Sequence, residues 1–207
     1  MKRLMGLLGW MFELTACGSV APTPEEVFLR LEMPAPNPTG AKRWTEGNLR
    51  VAPMLASGLH KERALAYTRD HGSSLQQSRY QLWIDSPEHM LQHQIAAYLR
   101  GAQVAPQIMT EHSSKAQLVV MGRITRFELL ARSDASSMLA GIELTVRDAS
   151  RDQSLFVKDY LANEPMDGAT PTAVAQAMSR AVATICAEFV ADASRILNPL
   201  LARESAP

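Results

Sequence analysis

The chain has 207 residues, with 21 basic and 21 acidic side chains and a formal net charge of zero. That balance removes any electrostatic case for nucleic acid or for a strongly anionic surface as partner, and Lys42-Arg43 is the only adjacent basic pair after the first few residues. Two cysteines, Cys17 and Cys186, are too few for a disulfide framework, so a core of ordinary size must hold the fold.

The first segment starts Met1-Lys2-Arg3, runs apolar from Leu4 to Phe12 and closes on Leu14-Thr15-Ala16-Cys17. A basic start, a short apolar stretch and small residues before a cut describe a secretory signal peptide. The apolar stretch is far short of the about 20 residues that span a bilayer as a helix. Because the cut precedes a cysteine, the pattern is that of a bacterial lipobox. The Cys17 thiol is expected to receive a diacylglyceryl group and become the acylated N-terminus; Glu13 departs from the usual lipobox. The other reading is a plain cleaved signal peptide with Cys17 incidental. Removal of residues 1–16 leaves 191 residues, with 19 basic against 20 acidic side chains, enough for one well-cored domain.

Residues 17–26 read as a lipidated tether, and Gly18 to Glu26 at about 3.5 Å per residue reach roughly 30 Å. A domain of this size has a radius of gyration of about 16 Å, so tether and domain together stay near the anchoring membrane. The domain is expected over 27–198, with 199–207 as a tail. Val27 to Leu31 is a strand candidate, stopped by the prolines of Met33-Pro34-Ala35-Pro36-Asn37-Pro38. Leu49 to Pro53, Ala64 to Arg69 and Ser78 to Ile84 are further strands, the third followed by turn residues from Asp70 to Ser73.

Ser86-Pro87-Glu88 opens a helix with a cap, a proline at its first position and an early acidic residue. Met90, Leu91, Ile95, Tyr98 and Leu99 share its apolar face, and Gly101 is expected to stop it. Leu118 to Phe127 predicts a strand apolar on both faces at first. Ile142, Leu144 and Val146 alternate with polar residues, Asp148 to Asp152 is a turn, and Ser154 to Leu161 returns as the hairpin partner. Thr170-Pro171 opens a long alanine-rich helix with Val174, Met178, Val182, Ile185, Phe189 and Ile196 inward, expected to end before Asn198-Pro199. This order predicts a single α+β domain, a mostly antiparallel or mixed sheet covered by two main helices.

Chemistry-bearing motifs are scarce. The sequence has no nucleophile elbow, P-loop or dinucleotide glycine pattern, and no acid/base carboxylate pair stands out. His89 and His93 lie four apart on the first helix but lack the intervening glutamate of a metalloprotease, so exposed positions are expected rather than a metal site. His60, His71 and His112 sit in polar stretches and read as solvated. No catalysis, metal or bound cofactor is expected. Cys186 reads as a small buried apolar side chain. Met90, Met121 and Met178 read as core fillers, whereas Met138-Leu139 is either an exposed loop tip or the start of a strand.

The stretch Arg79-Tyr80-Gln81-Leu82-Trp83-Ile84-Asp85-Ser86-Pro87, followed by Met90-Leu91 and Tyr98-Leu99, resembles an aromatic-rich strand leading into a proline-started helix in the ABC-type transport auxiliary lipoproteins, the PqiC-like group. The lipobox, Leu49-Arg50-Val51, Ile124-Thr125-Arg126-Phe127-Glu128, the strand from Ile142 and the final helix fall in the same order, so the resemblance covers nearly all of 14–197. It implies a docking role, through a sheet edge or apolar groove, beside an MCE-domain protein and an ABC permease and ATPase that move phospholipid between membranes. With Gly18 rather than Asp after Cys17, the usual sorting scheme implies the periplasmic face of the outer membrane. Tyr80 and Trp83 read first as core aromatics locking strand to helix. A structural adaptor for secretion, pilus or cell-wall assembly would use the same anchor and the same kind of domain.

Overall fold

A computed structural model describes residues 24–36, 43–69, 74–112, 115–133 and 135–204, the side chains of 199–204 excepted. Cys17, the signal segment, most of the tether and His71 lie outside these residues. The strands are β1 (Val27–Leu29), β2 (Asn48–Val51), β3 (Ala64–Arg69), β4 (Leu75–Trp83), β5 (Gln107–Met109), β6 (Ala116–Ala131), β7 (Ser137–Asp148) and β8 (Gln153–Pro165). The helices are α1 (Pro87–Gly101) and α2 (Pro171–Glu204). All the strands join one mixed sheet, which is the α+β single domain expected.

The long strand β6 organises the sheet. One of its edges pairs antiparallel with β7 along nearly its whole length, and β7 pairs with β8. The other edge is shared end to end: β2 runs parallel to Leu118–Val120, Leu55 bridges to Arg123, and β3 runs parallel to Glu128–Ala131. The sheet therefore forks, continuing through β2 to β5 on one arm and through β3 and β4 to β1 on the other.

Side-chain alternation decides which face is covered. Met138, Ala140, Ile142, Leu144 and Val146 all point to one face of β7 and are buried. On β6 that face is lined by Leu118, Val120 and Ile124, then by Phe127. The step from Ile124 to Phe127 would reverse a regular strand, but the ladder slips one residue between Ile124 and Arg126, and this bulge returns Phe127 to the core. Leu91, Ile95 and Leu99 of α1 and Val174, Met178, Val182, Ile185 and Phe189 of α2 join that same cluster, so both helices lie on one face. The opposite face carries a small cluster of Ala52, Ala116 and Val119, against which Met121 packs half-buried, and farther along β6 the buried Glu128 beside Ala66.

The segment after β1 crosses the helices. Glu32 donates its N–H to Ser179 Oγ on α2 at 3.0 Å, and Met33 donates to Gln94 Oε1 on α1 at 3.2 Å. Those bonds lead the chain out of the sheet, which is why β1 ends at Leu29 rather than at the expected Leu31. Further on, Trp44 is fully buried and stacks edge-on to Phe189 with ring centroids 5.3 Å apart.

Several boundaries differ from the sequence reading. α1 begins as expected, with Ser86 Oγ accepting from His89 N–H, but Gly101 is its last residue and the positive φ of 55° falls on Gln103. β5, a short strand formed on β2, has no periodic signal of its own. α2 runs through Asn198-Pro199 to Glu204, so part of the expected tail is helical. Its inward face continues through Ala193 and Leu197, whereas Ile196 is exposed. α2 is long and apolar enough to cross a membrane by length and composition, yet 61 % of that stretch is buried against the sheet.

Candidate docking surface

A groove of about 820 Å³ runs between β1 and the first three turns of α2. β1 pairs in parallel with β4 on one side only, in the register Val27 with Gln81, Phe28 with Leu82 and Leu29 with Trp83. Leu29 C=O accepts from Ile84 N–H at 2.9 Å. Strand geometry alternates the direction of successive backbone groups, so Val27 and Leu29 face β4 while Phe28 and Arg30 turn theirs toward the groove.

Across the groove, Thr172, Ala175 and Ser179 lie on one side of α2, at helical spacing. Their small side chains keep the wall low. Apolar surface comes from Phe28, 54 % exposed, and from Val27, Met33, Pro34 and Pro171. The charges at the rim are already engaged. Arg30 lies 3.5 Å from Glu32, and Arg180 lies 3.6 Å from Glu164 and 3.9 Å from Asp167 while donating to Pro165 C=O at 2.8 Å.

The other candidates disperse. His89 and His93 are exposed, with His89 Nδ1 3.7 Å from Asp85, and no cluster of three or more metal-type ligands occurs among the described residues. Cys186 is buried and its thiol is pushed up to about 12 by desolvation. Trp83 is core, 5.1 Å from the Phe127 ring, but Tyr80 is not: it sits 37 % exposed on an irregular stretch of β4 where Ser78 Oγ accepts from Tyr80 and Gln81 N–H. Met138 is fully buried, which decides for strand over loop tip. Asp148 holds the β7–β8 turn, accepting from Ser150 N–H, Ser150 hydroxyl and Arg151 N–H.

His60 corrects the sequence reading. It is half-buried rather than solvated, its Nδ1 has no partner, and burial lowers its pKa. It lies near Glu128, a carboxylate 1 % exposed that accepts from Thr68 Oγ1 at 2.8 Å and from Arg126 at 3.2 Å. The bulge before Phe127 sets this glutamate, and nothing in the local composition announces it. The groove was equally hidden, because its walls come from segments more than a hundred residues apart.

Residues 29–190 match the model of a family described as the ABC-type transport auxiliary lipoprotein component. No curated protein matches the chain. Among solved structures, a Xanthomonas campestris protein assigned to the DUF330 family model is similar at a TM-score of 0.73 and 13% identity, covering 86% of this chain and 99% of its own. An uncharacterized protein reaches 0.60 at 12% identity, with 83% and 97% covered. The hypothetical protein CT253 of Chlamydia trachomatis reaches 0.50 at 11% identity, with 74% and 98% covered. At these identities the likeness is one of fold alone.

Proposed function

The chain belongs to the ABC-type transport auxiliary lipoprotein family, and from that membership we propose that it is a non-enzymatic docking subunit of an intermembrane lipid transporter. Residues 1–16 are the signal peptide, Cys17 carries the diacylglyceryl and acyl groups, and 17–26 tether the domain of 27–198. Acyl chains at about 0.8 kcal/mol per buried methylene make a multiply acylated Cys17 a durable anchor. The anchored domain sits on the periplasmic face of the outer membrane and receives the distal end of an MCE-domain protein. The ABC permease and ATPase drive that protein's phospholipid cargo from the far side.

The observation that carries this reading is the family match across 29–190. The physical argument is one of reach. A tether of roughly 30 Å on a compact domain cannot cross the periplasm, so the partner must bring the length. The open groove beside β1, at the end of the domain where the tether joins, supplies a surface for it.

The test is purification of the full chain from native membranes in mild detergent. Recovery of an MCE-domain protein with its permease supports docking. Repeated recovery with secretion, pilus or cell-wall components instead, and with no transport component, overturns it.

A further inference from the structure

We propose that the groove between β1 and α2 takes an extended, uncharged peptide segment of the transport partner as an added strand on β1. This rests on the docking function of the preceding section and names the chemistry of its contact. The open side of β1 carries the N–H and C=O groups of Phe28 and Arg30, and none of the four has a hydrogen-bond partner among the described residues. An incoming strand lies about 4.8 Å from its neighbour and satisfies such groups in turn. The groove beside that edge, about 820 Å³, is lined on the α2 side by Thr172, Ala175 and Ser179 together with the longer Gln176 and Arg180.

Charge complementarity selects among occupants. Arg30 already faces Glu32, and Arg180 already faces Glu164 and Asp167. A phosphate or an acidic peptide would have to displace those carboxylates, whereas an uncharged segment displaces none. A lipid acyl chain is also uncharged, but it would cover the edge of β1 without bonding its backbone, and each polar group so buried costs about 1–3 kcal/mol. A peptide strand avoids both penalties.

The sheet has another edge, the long strand β8, and it differs in kind. β8 carries Lys158 and Asp159 within its run, and such charges discourage strand addition. β1 is Val27-Phe28-Leu29; the one charge on its open edge, Arg30, faces Glu32, and the edge opens on a groove walled by a helix. Strand, helix and slot between them are the parts used wherever a peptide augments a sheet edge beside a helix.

The experiment uses the full chain anchored in cells that also make its transport partners. A photoreactive aromatic amino acid replaces the exposed Phe28, and in a control it replaces Val157 on β8. The expected result is a covalent adduct at 28 with an MCE-domain polypeptide, mapping to an extended segment rather than a helix. Arg30→Pro removes one open-edge donor and is expected to lower that adduct roughly three- to tenfold. In the purified complex, the amides of Phe28 and Arg30 are expected to exchange at least about tenfold more slowly, with Leu29 unchanged. Adducts at 28 with lipid or with a second copy of the chain overturn the proposal. So does an MCE adduct at 157 with none at 28, which leaves the docking function standing. Absence of any MCE protein at both positions and in the unmodified preparation removes the docking function as well.

Discussion

Trp44 and Ser194 are 150 positions apart in the chain, yet the indole N–H of Trp44 donates to Ser194 Oγ at 2.9 Å. The bond pins the segment that crosses the helices to the far half of α2. It also satisfies the polar atom of a side chain that is 1 % exposed, whereas the buried indole nitrogen of Trp83 has no partner among the described residues.

Trp44→Ala is expected to lower unfolding free energy by about 3–5 kcal/mol, because a large fully packed side chain is lost. Ser194→Ala leaves the indole N–H buried and unpaired, at about 1–3 kcal/mol. Trp44→Phe combined with Ser194→Ala tests the bond itself: the double variant is expected to lose less than the sum of the singles, by about 0.5–3 kcal/mol. Additive losses in urea unfolding would mean that the 2.9 Å contact contributes nothing of its own.

Local rules made much of this architecture legible. The Ser86-Pro87 start of α1, the alternation of β7 and the apolar stripe from Val174 to Phe189 follow from periods of two and 3.6 residues. The features that escaped are non-local. β5 exists because β2 offers it an edge, Tyr80 is turned outward by the Ser78 hydroxyl, and α2 passes Pro199 although proline usually ends a helix. The groove escaped for the same reason: its two walls, Phe28 and Ala175, meet only once α2 has packed on the sheet.

Gly122 of β6 is tightly packed between Met54 and β7. A Cβ at this position would meet Met54 Sδ, with Leu144 Cδ2 at 3.1 Å and Glu143 O at 3.3 Å. Met54 is 1 % exposed and Leu144 is fully buried, so neither can yield freely. Gly122→Ala is therefore expected to destabilise by about 1–3 kcal/mol through overpacking. The urea midpoint should fall with an unchanged slope, and a midpoint equal to that of the parent chain would contradict the packing described here.

Asp192 joins α2 to β8. Its Oδ2 accepts from Lys158 Nζ at 2.6 Å and from Tyr160 hydroxyl at 3.2 Å, and Arg195 lies 2.8 Å from Oδ1. The Lys158 hydrogen bond, followed by that of Tyr160, holds its carboxyl below the ordinary aspartate value despite burial. A carboxyl depressed in the folded state stabilises fully above the unfolded value of about 3.9, and that contribution fades as pH falls toward the folded value. Burial and the same aspartate raise the Tyr160 phenol, so its contribution is complete below about pH 10 and is lost as pH climbs beyond. Asp192→Asn should flatten the acid limb of the stability profile relative to the parent. Parallel acid limbs for the two chains would exclude this coupling.

His89 and His93 test the absence of a metal function. Both are exposed on α1, and the nearest charge to His89 is the equally exposed Asp85 at 3.7 Å. Replacing both by alanine is expected to change stability by less than about 0.5 kcal/mol, as for other surface positions. Added zinc should shift the melting temperature of the parent and the variant alike. A zinc-dependent rise seen only in the parent would reveal a site and reopen the question of catalysis.

Cys17 lies outside the described residues, and its role is the premise on which reach and location depend. Cys17→Ser keeps the size of the side chain and removes the sulfur that accepts the lipid. If the lipobox reading holds, the parent chain partitions with membranes and the variant does not acquire lipid, remaining as uncleaved precursor. The two forms then separate by mass, by the acyl groups and by residues 1–16. The domain itself should be unaffected, since β1 starts at Val27 and, among the described residues, the core begins at Leu29. Circular dichroism and urea unfolding of soluble chains starting at residue 17, with cysteine or serine there, should therefore superimpose. The distinguishing case is the alternative in which the leader is cut as a plain signal peptide. There the C17S chain would still be processed and released to the periplasm, and an unlipidated parent showing the same processing would remove the anchor and with it the argument that the partner must supply the length.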